Sequence, residues 1–503
     1  MNLFGSTTSV HICSRFRWVD CQLGYLRHCL PGRIRHALEE LPETLDETYE
    51  RALKDLGKAN WEVAHRLLQC VAVASRPLRV EELAQFLGFD FAVGRIPKFQ
   101  QDWLLNDPVD AVLSITPSLL AIVDIDGSSV IQFSHFSVKE FLMSTRLACA
   151  SDIILCRYHI SLTHAHILTA QACLGMLLYL DKDITRDDLE KFPLVEYAAE
   201  HWVDHARFED VSGTVEVGMR RLFDPTKHHF AVWVWIHDLE DRYWRREKRG
   251  GRPSEPRGTP LHYAALCGLD AIAKFLVIER SQDLDSRGFR HRSTALHLAS
   301  RSGRAEISRV LLDNGADAEI RDDDMSSPLH LASREGHVEV VRILLARGVD
   351  AAAKDEFNFT PQFLAFQGGH MEVIRVFLEF GMDLVAEDVN EWPLLQRALF
   401  EGDIERVDAL QDYGLDLMAE IAETDNGPLR AASLGGHAAA VRLLLDYGVD
   451  VTTKGDDGLT TLHVASLGGH VEVVRILLEH GLDATSQSEG GITPLHTASG
   501  GGM

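Results

Sequence analysis

A short phrase built around T-P-L-H returns eight times in the second half of this 503-residue chain, about every 33 residues. The phrases begin at Thr259, Thr294, Ser327, Thr360, Pro393, Gly427, Thr460 and Thr493. A glycine follows each start after nine residues, from Gly268 in the first copy to Gly502 in the last. A unit of this length buries its apolar face only against a neighbour, so the period predicts stacked helical hairpins. Such stacks usually bind other molecules instead of transforming them.

The third copy shows why each unit is expected to fold as a hairpin. Its first residue, Ser327, has a hydroxyl that can cap a helix, and Pro328 has the preset φ of a first helical turn. We expect Gly336 to end this helix in a left-handed conformation, and Gly348 to end a second helix. An extended finger then leads through Asp355 into the next copy.

These phrases resemble the ankyrin repeat, and the resemblance covers residues 259–503. Copies five and six begin with Pro393 and Gly427, so their inner helices are expected to be less well capped. The eighth copy stops after one helix without a polar cap, so we expect a fragment or a truncated gene model. A histidine at the fourth position of five copies is expected to brace the turn and not to bind metal: His262, His297, His330, His463 and His496.

The charge of the chain is −25 and is concentrated in the repeats. Residues 259–503 carry about 20 basic and 39 acidic residues, near −19, and the first 258 residues are near −6. An acidic stack repels phosphate, so no nucleic acid is expected as a partner of the repeats. A basic or mixed protein surface fits better, although an acidic surface that only maintains solubility is an equal alternative.

Composition also bears on the location of the protein. No stretch approaches about 20 uninterrupted apolar residues, and the amino terminus lacks the pattern of a secretory signal. Eight cysteines are scattered without a C-x-x-C pair, which is typical of a reducing compartment. These features predict a cytoplasmic protein without a membrane span.

The sequence before the repeats divides into four segments. Residues 1–57 include a helical stretch over 14–57, residues 58–147 form a compact mixed segment, residues 150–245 are mainly helical, and residues 246–258 form a linker rich in Arg, Gly and Pro. The fold class predicted for the whole chain is mainly α: a winged-helix domain with a small β-hairpin, a helical arm, and an ankyrin-repeat α-solenoid.

The mixed segment has the pattern of a winged helix. Helices are predicted over Trp61–Ala74 and Val80–Leu87, and strands over Leu119–Val123 and Val130–Phe133, joined by a turn that contains Asp126 and Gly127. A further helix is predicted from Ser137, with Glu140 completing a capping box. The second helix lacks a basic face, which argues against the alternative of DNA binding.

Four phrases in this front half resemble fungal NACHT–ankyrin proteins, which are NOD-like signalling receptors of the STAND NTPase class. They are Arg17–Leu23 (RWVDCQL), Leu41–Arg51 (LPETLDETYER), Phe133–Leu142 (FSHFSVKEFL) and Tyr197–Trp202 (YAAEHW). The resemblance implies the order effector, NACHT NTPase, winged helix, helical arm and sensor repeats. It also implies a winged helix of the type found with GPI inositol-deacylase proteins, and residues 1–57 as a remnant that follows a missing NTPase.

The sequence lacks the motifs of an enzyme. The only Gly-Lys pair, Gly57-Lys58, has neither the upstream glycine nor the hydroxyl residue of a P-loop. There is no G-x-S-x-G elbow, no H-E-x-x-H and no zinc-spaced cluster, and the lone pair His164 and His166 is interpreted as structural. No cofactor is therefore expected for this chain alone.

One histidine has a possible role that the resemblance implies. In related receptors a winged-helix histidine placed like His135 contacts the β-phosphate of a nucleotide held by the NTPase domain. The alternative is a histidine that packs at a strand–helix corner. Contact with a NACHT domain supplied by a longer form of the protein is expected on the same grounds.

The recognition surface is predicted on the concave face, at the fingers and at the exposed ends of the first helices. Apolar candidates for partner binding are Phe357, Phe359, Trp392, Phe400, Leu434, Leu459 and Leu467. Acidic candidates that flank them are Asp323, Asp324, Glu356, Glu391, Asp456 and Asp457. Apolar anchors surrounded by charge are the usual composition of binding hot spots. Alternatively, Trp392 and Phe400 turn inward and fill the irregular fifth copy.

Three functional hypotheses remain at this point. The first is the sensor and scaffold portion of a NOD-like receptor that binds a protein ligand. The second is a stand-alone ankyrin adaptor that recruits one protein to another. The third, less favoured, is a nucleotide-dependent enzyme. An in-frame P-loop upstream of Met1 in the genome would separate the first two.

Overall fold

The structure of the protein is a computed structural model that describes most of the chain. It covers residues 44–56, 60–92, 94–116, 119–125, 127–237, 239, 255–280, 283–289, 291–382, 394–412, 427–452, 454–455 and 458–500. The described chain forms two compact units, one up to Pro260 and one from Leu261. Most of the helical stretch predicted over 14–57, and residues 246–254 of the predicted linker, lie outside the described residues.

The first helix among the described residues is capped at its N-terminus by two reciprocal hydrogen bonds. Helix α1 (Leu45–Asp55) has Thr44 at its N-cap, where the Thr44 hydroxyl accepts the Glu47 N–H at 3.2 Å. The Glu47 carboxylate accepts the Thr44 N–H at 3.4 Å in return. Two amide groups at the start of the helix are thereby satisfied, which explains why it begins inside the phrase LPETLDETYER.

The next elements form the predicted winged helix. They are α2 (Trp61–Val73), β1 (Leu78–Arg79), α3 (Val80–Ala84), β2 (Phe89–Asp90), β3 (Lys98–Phe99), α4 (Pro108–Ile115), β4 (Leu120–Ile125), β5 (Ser128–Phe133) and α5 (Phe136–Leu142). The three-stranded sheet has the order β1-β5-β4, with Ile122 opposite Ile131 and Leu78 also opposite Ile131. This is the helix and wing arrangement that the sequence predicted.

Three details of this segment differ from the prediction. The second helix is shorter, because Val80–Ala84 is α-helical and Gln85–Gly88 continues as a 3₁₀ turn. The capping box at Ser137 is wrong, since His135 occupies the N-cap of α5 and its ring accepts the Ser137 N–H. Helix α4 was not predicted, although Asp107 and Pro108 are a recognisable helix start.

Short helices α6 (Thr145–Ala148) and α7 (Ile153–Cys156) lead into the helical remainder of the front unit. It consists of α8 (Leu162–Tyr179), α9 (Arg186–Leu189), α10 (Leu194–Ala206), α11 (Ser212–Leu222) and α12 (His229–Ile236). Its core is aromatic: Trp202 packs edge-on against Trp233 with ring centroids 5.4 Å apart, and the Trp233 indole N–H donates to the Ala199 carbonyl at 3.0 Å.

The second unit is a row of helical hairpins. The first helix of each repeat, called the inner helix, spans Pro260–Cys267, Ala295–Arg301, Pro328–Arg334, Pro361–Gln367, Leu394–Glu401, Pro428–Gly435, Thr461–Leu467 or Pro494–Gly500. The second, called the outer helix, spans Asp270–Lys274 (extended by one wider turn, Phe275–Glu279), Ala305–Asp313, Val338–Ala346, Met371–Glu379, Ile404–Asp412, Ala438–Asp446 or Val471–Glu479. The predicted fold class, mainly α with a winged helix and a repeat solenoid, is confirmed.

Glycines end these helices in the predicted left-handed conformation. Gly336 has φ +75° after an inner helix, and Gly348 has φ +75° after an outer helix. The two sites differ in their surroundings. A Cβ on Gly336 would lie 2.4 Å from Nδ1 of His370 in the next repeat, whereas a Cβ on Gly348 would meet no atom within 4 Å.

A second histidine in each of several repeats explains this crowding. The His370 ring packs over Gly336 and its Nε2 donates to the Arg334 carbonyl at 3.0 Å. His337 and His470 bond in the same way to the Arg301 and Leu434 carbonyls, each at 3.0 Å. The glycine thus ends a helix and leaves room for a ring from the next repeat.

Within the described residues, no helix combines the length and the apolarity required to cross a bilayer.

Alanine substitutions at Gly336 and Gly348 separate the two roles of these glycines, which are to end a helix and to leave room for a histidine ring. Gly348→Ala should lower the free energy of unfolding by about 1–2 kcal/mol, because only the left-handed conformation becomes strained. Gly336→Ala should cost clearly more, because the His370 ring must also move out of its hydrogen bond. Urea unfolding followed by circular dichroism measures both changes. Equal losses in the two variants would contradict the packing role of Gly336.

Candidate protein-interaction surface

Fingers three and four end in the same tight turn. In finger three (residues 316–326) the Asp322 N–H donates to the Ser326 carbonyl at 3.0 Å, and the Met325 N–H donates to the Asp322 carbonyl at 3.1 Å. Finger four (residues 349–359) repeats this pattern through Asp355 and Phe359. The turn needs a left-handed residue at its fourth position, which is Met325 with φ +54° in finger three.

A buried aspartate holds each turn from inside. The Asp322 carboxylate accepts the N–H groups of Asp324 and Ser326 at 3.1 and 2.9 Å. The Asp355 carboxylate accepts the N–H groups of Phe357 and Phe359 at 2.9 and 3.0 Å. Burial raises the pKa of Asp322 despite these bonds. The fingertips are therefore ordered turns with their polar groups satisfied internally.

Neighbouring fingertips are also bonded to each other. The Asp323 N–H donates to the His291 carbonyl of finger two at 2.9 Å, and the Glu356 N–H donates to the Asp324 carbonyl at 3.2 Å. The Arg321 guanidinium also connects fingers three and four, since it donates to the Lys354 carbonyl at 2.7 Å. Fingers two to four thus form one continuous hydrogen-bonded edge.

Two large apolar side chains project from this edge. Phe357 is 58% exposed and Met325 is 51% exposed. A row of three aromatic rings leads inward from Phe357. The ring centroids of Phe357 and Phe359 are 6.2 Å apart, and those of Phe359 and Phe363, which lies on the inner helix, are 4.7 Å apart. Phe357 is therefore supported from behind and keeps an exposed ring.

The other predicted partner-binding residues occupy several environments. Leu434 and Leu467 are exposed at the ends of their inner helices. Leu459 is half-buried in its finger, and its carbonyl accepts the Gly455 N–H at 3.0 Å. Phe400 is half-buried, with the Arg397 guanidinium carbon 5.5 Å from its ring centroid.

Among the acidic candidates, Asp323 and Glu356 are exposed and Asp324 is half-buried. Trp392, Glu391, Asp456 and Asp457 lie outside the described residues.

Met325 was not predicted as part of this surface. The same position is Asn358 in finger four and glycine in the last two copies, Gly458 and Gly491, and all three residues have positive φ. A methionine at a position that favours glycine is a signal that comparison of the repeats could have found.

Fourth-position histidines connect the inner helices that carry them to the following finger. The His297 Nδ1 accepts the Thr294 N–H at 3.2 Å, and its Nε2 donates to the Ser326 carbonyl at 3.1 Å. In the same way, the His330 Nδ1 accepts the Ser327 N–H at 3.2 Å, and its Nε2 donates to the Ala353 carbonyl at 3.0 Å. Burial lowers the pKa of both rings to about 4, which keeps them neutral. The expected bracing role agrees with these contacts.

His135 lies between β5 and α5, as the sequence placed it. Its Nδ1 accepts the Ser137 N–H at 3.3 Å and lies 2.6 Å from the Ser137 hydroxyl, which in turn lies 2.8 Å from the Tyr49 hydroxyl of α1. These contacts explain a structural role in joining α1 to the winged helix. A contact with a nucleotide on an NTPase domain stays a prediction.

His166 was interpreted as structural. Its Nδ1 lies 2.9 Å from Nδ1 of His205, and its ring stacks on Phe208 with centroids 4.0 Å apart. Across the described part of the chain, no group of three or more His, Cys, Asp or Glu residues is arranged to hold a metal ion.

Comparison with known sequences assigns both parts of the chain to recognised domain types. The model of the family "Ankyrin repeats (3 copies)" matches residues 261–355, 329–421 and 427–502. The model "GPI inositol-deacylase, winged helix domain" matches residues 52–154. The protein therefore contains ankyrin repeats and a winged-helix domain of this type.

Two individual proteins can be named for comparison. The chain is 28% identical over 293 residues to the azaphilone pigments biosynthesis cluster protein L of Monascus ruber. The match covers 56% of this chain and 61% of that relative's length. A crystal structure of the human ASB11 ankyrin repeat domain matches with 25% identity and a TM-score of 0.35, over 41% of this chain and 92% of that one.

The histidine contacts predict a pH dependence of stability. The folded pKa of His330, about 4, lies below the usual 6.5, so the unfolded chain binds more protons between these values. The free energy of unfolding should therefore fall as the pH is lowered from about 6.5 toward 4, by up to about 1.4 kcal/mol per pH unit for each such histidine.

The variant His330→Gln isolates this effect, because it removes one titrating ring. It should be less stable than the parent at neutral pH, yet lose less stability on acidification. Urea unfolding of the full chain at several pH values between about 7 and 5, at constant ionic strength, measures both curves. If the free energy of unfolding fell equally with pH in the parent and in His330→Gln, His330 would not be held neutral by the fold.

Proposed function

We propose that the protein is a recognition scaffold whose ankyrin repeats bind a protein ligand on the edge formed by fingers two to four. The observation that carries this proposal is that exposed apolar side chains stand on fingertips whose backbone is ordered by hydrogen bonds. Met325 and Phe357 stand on adjacent fingertips that are bonded through their backbones. A binding surface that is ordered before contact loses little entropy on association. Exposed aromatic and methionine side chains are enriched at interface centres.

The charge near these side chains indicates the chemistry of the ligand. Asp323 and Glu356 are exposed beside Met325 and Phe357, and the repeats as a whole are strongly acidic. A partner segment with an apolar side chain flanked by Lys or Arg would complement this surface and would associate faster at low salt. Phosphate-rich partners would be repelled, so we do not propose nucleic acid.

We favour the sensor portion of a NOD-like signalling receptor as the setting of this activity. The support is the order of domains, a GPI inositol-deacylase type winged helix before ankyrin repeats, together with the phrases that resemble the NACHT–ankyrin proteins. In that setting the winged helix and the helices after it would restrain or relay the signal from the repeats. A stand-alone adaptor would use the same surface to recruit one protein to another.

We propose no catalytic activity for this chain. Ankyrin repeats are typically non-enzymatic, and the sequence offers neither a P-loop nor a nucleophile elbow. A cytoplasmic location is proposed from the scattered cysteines, of which Cys70, Cys149, Cys156 and Cys173 are free thiols in the structure.

Removal of the fingertip anchors tests the proposed surface. The full chain, immobilised, should capture a specific set of proteins from an extract of the source organism, and Phe357→Ala should weaken that capture at least tenfold. Met325→Ala/Phe357→Ala should abolish it, because the centre of the contact is lost. Quantitative mass spectrometry of the captured proteins is the measurement.

Phe380→Ala is the matched control. Phe380 is also an exposed phenylalanine of the repeats, 36% exposed, but it follows an outer helix away from the fingertips. Its loss should leave the captured set unchanged. If the three variants behave alike, the fingertips are not the docking surface.

A further inference from the structure

A cavity of about 530 Å³, partly open to the surface, lies within the front unit. Its walls come from the β3 segment, from the last turns of α8, and from α11 with the connection to α12. This volume falls in the range of about 300–1,000 Å³ that small-molecule sites occupy.

Two aromatic rings form part of the wall. Phe99 is buried, and it meets the ring of Tyr179 edge-on with centroids 5.2 Å apart. Tyr179 remains 44% exposed, and its hydroxyl has no hydrogen-bond partner among the residues that the structure describes. The wall therefore offers both an apolar surface and an unused hydroxyl.

Three cationic side chains line the same cavity: Lys98, Arg221 and Lys227. None of them forms an ion pair with a carboxylate of the described chain. The one carboxylate in the lining, Asp224, accepts the Thr226 N–H at 3.0 Å and the Thr226 hydroxyl at 2.8 Å within its own turn. In a chain with a net charge of −25, three unpaired cations around one cavity are a local positive site.

The lining also contains His229. Its Nδ1 is buried and has no hydrogen-bond partner in the described structure. Burial lowers the pKa of His229, so the ring is neutral near pH 7. A buried polar atom without a partner costs free energy that a bound ligand can recover.

One wall of the cavity is closely packed. A Cβ on Gly175 of α8 would lie 2.8 Å from the Pro97 carbonyl oxygen, so the strand segment rests directly on the helix. This wall is therefore set by the packing of the chain itself, as is usual for small-molecule sites.

We propose that this cavity binds a small organic anion that carries a flat ring, with a phosphate, sulfonate or carboxylate facing Lys98, Arg221 and Lys227. The ring lies along Tyr179, and the anionic group replaces the missing carboxylate partners. This binding site is independent of protein recognition by the repeats, and each can fail without the other.

The experiment uses the full chain and two fluorescent probes that differ by one charged group. 1-Anilinonaphthalene-8-sulfonate carries the anion, and N-phenyl-1-naphthylamine is its uncharged analogue. The sulfonate should bind in a one-to-one ratio, at least tenfold more tightly than the uncharged probe, and AMP should displace it. Binding of the uncharged probe with equal affinity, or a sulfonate that AMP does not displace, would overturn the proposal.

Substitutions in the cavity wall test whether the probe binds there. Arg221→Gln/Lys227→Gln should raise the Kd of the sulfonate at least tenfold and leave the uncharged probe unaffected. Leu178→Trp, which fills the cavity from a half-buried position, should weaken both probes. The control Lys139→Gln/Arg207→Gln removes two exposed cations elsewhere in the same unit and should change neither Kd.

Thermal unfolding of each variant shows whether the fold is intact. A sulfonate Kd that is unchanged in a folded Arg221→Gln/Lys227→Gln variant would place the binding elsewhere and reject the site.

Discussion

The hydrogen bond from a buried histidine ring to the following finger is the interaction that links copies one, two, three and seven to their neighbours. His262, His297, His330 and His463 each donate from Nε2 to a carbonyl of the next finger, at 2.9–3.1 Å. Nδ1 of the last three also accepts the N–H of the N-cap residue just before its own inner helix. One neutral side chain therefore caps a helix and fixes the finger that follows. Because a repeat cannot bury its apolar face alone, such links between neighbours make the row of hairpins cooperative.

The same links explain how the repeats present a surface. The fingers are fixed at their base by the histidines, at their turns by Asp322 and Asp355, and at their tips by the amides of Asp323 and Glu356. Side chains at the tips are then free to diverge, since the backbone does not depend on them. This is where Met325 and Phe357 appear, and where a partner can be selected without altering the fold.

Much of this architecture could be predicted from the sequence, because the repeat period, the glycines and the histidines act locally. Gly336 and His330 have roles that depend only on residues in their own and adjacent repeats. Met325 was missed because its left-handed conformation contradicts its own propensity and is imposed by the finger. The N-cap of α5 was misjudged for a related reason: Ser137 is the stronger N-cap by residue type, but its hydroxyl lies against Nδ1 of His135 and the hydroxyl of Tyr49, and the His135 ring accepts the Ser137 N–H.

The central claim is that the fingertips form one ordered edge before any partner binds. Amide hydrogen exchange of the full chain without a ligand, resolved at Asp323 and Glu356, tests it most directly. The account predicts that these two amides exchange slowly, close to the rates of the inner-helix amides around Leu331, because their acceptors lie in the neighbouring finger. Exchange at the rate of an open loop would show that the edge does not exist in solution.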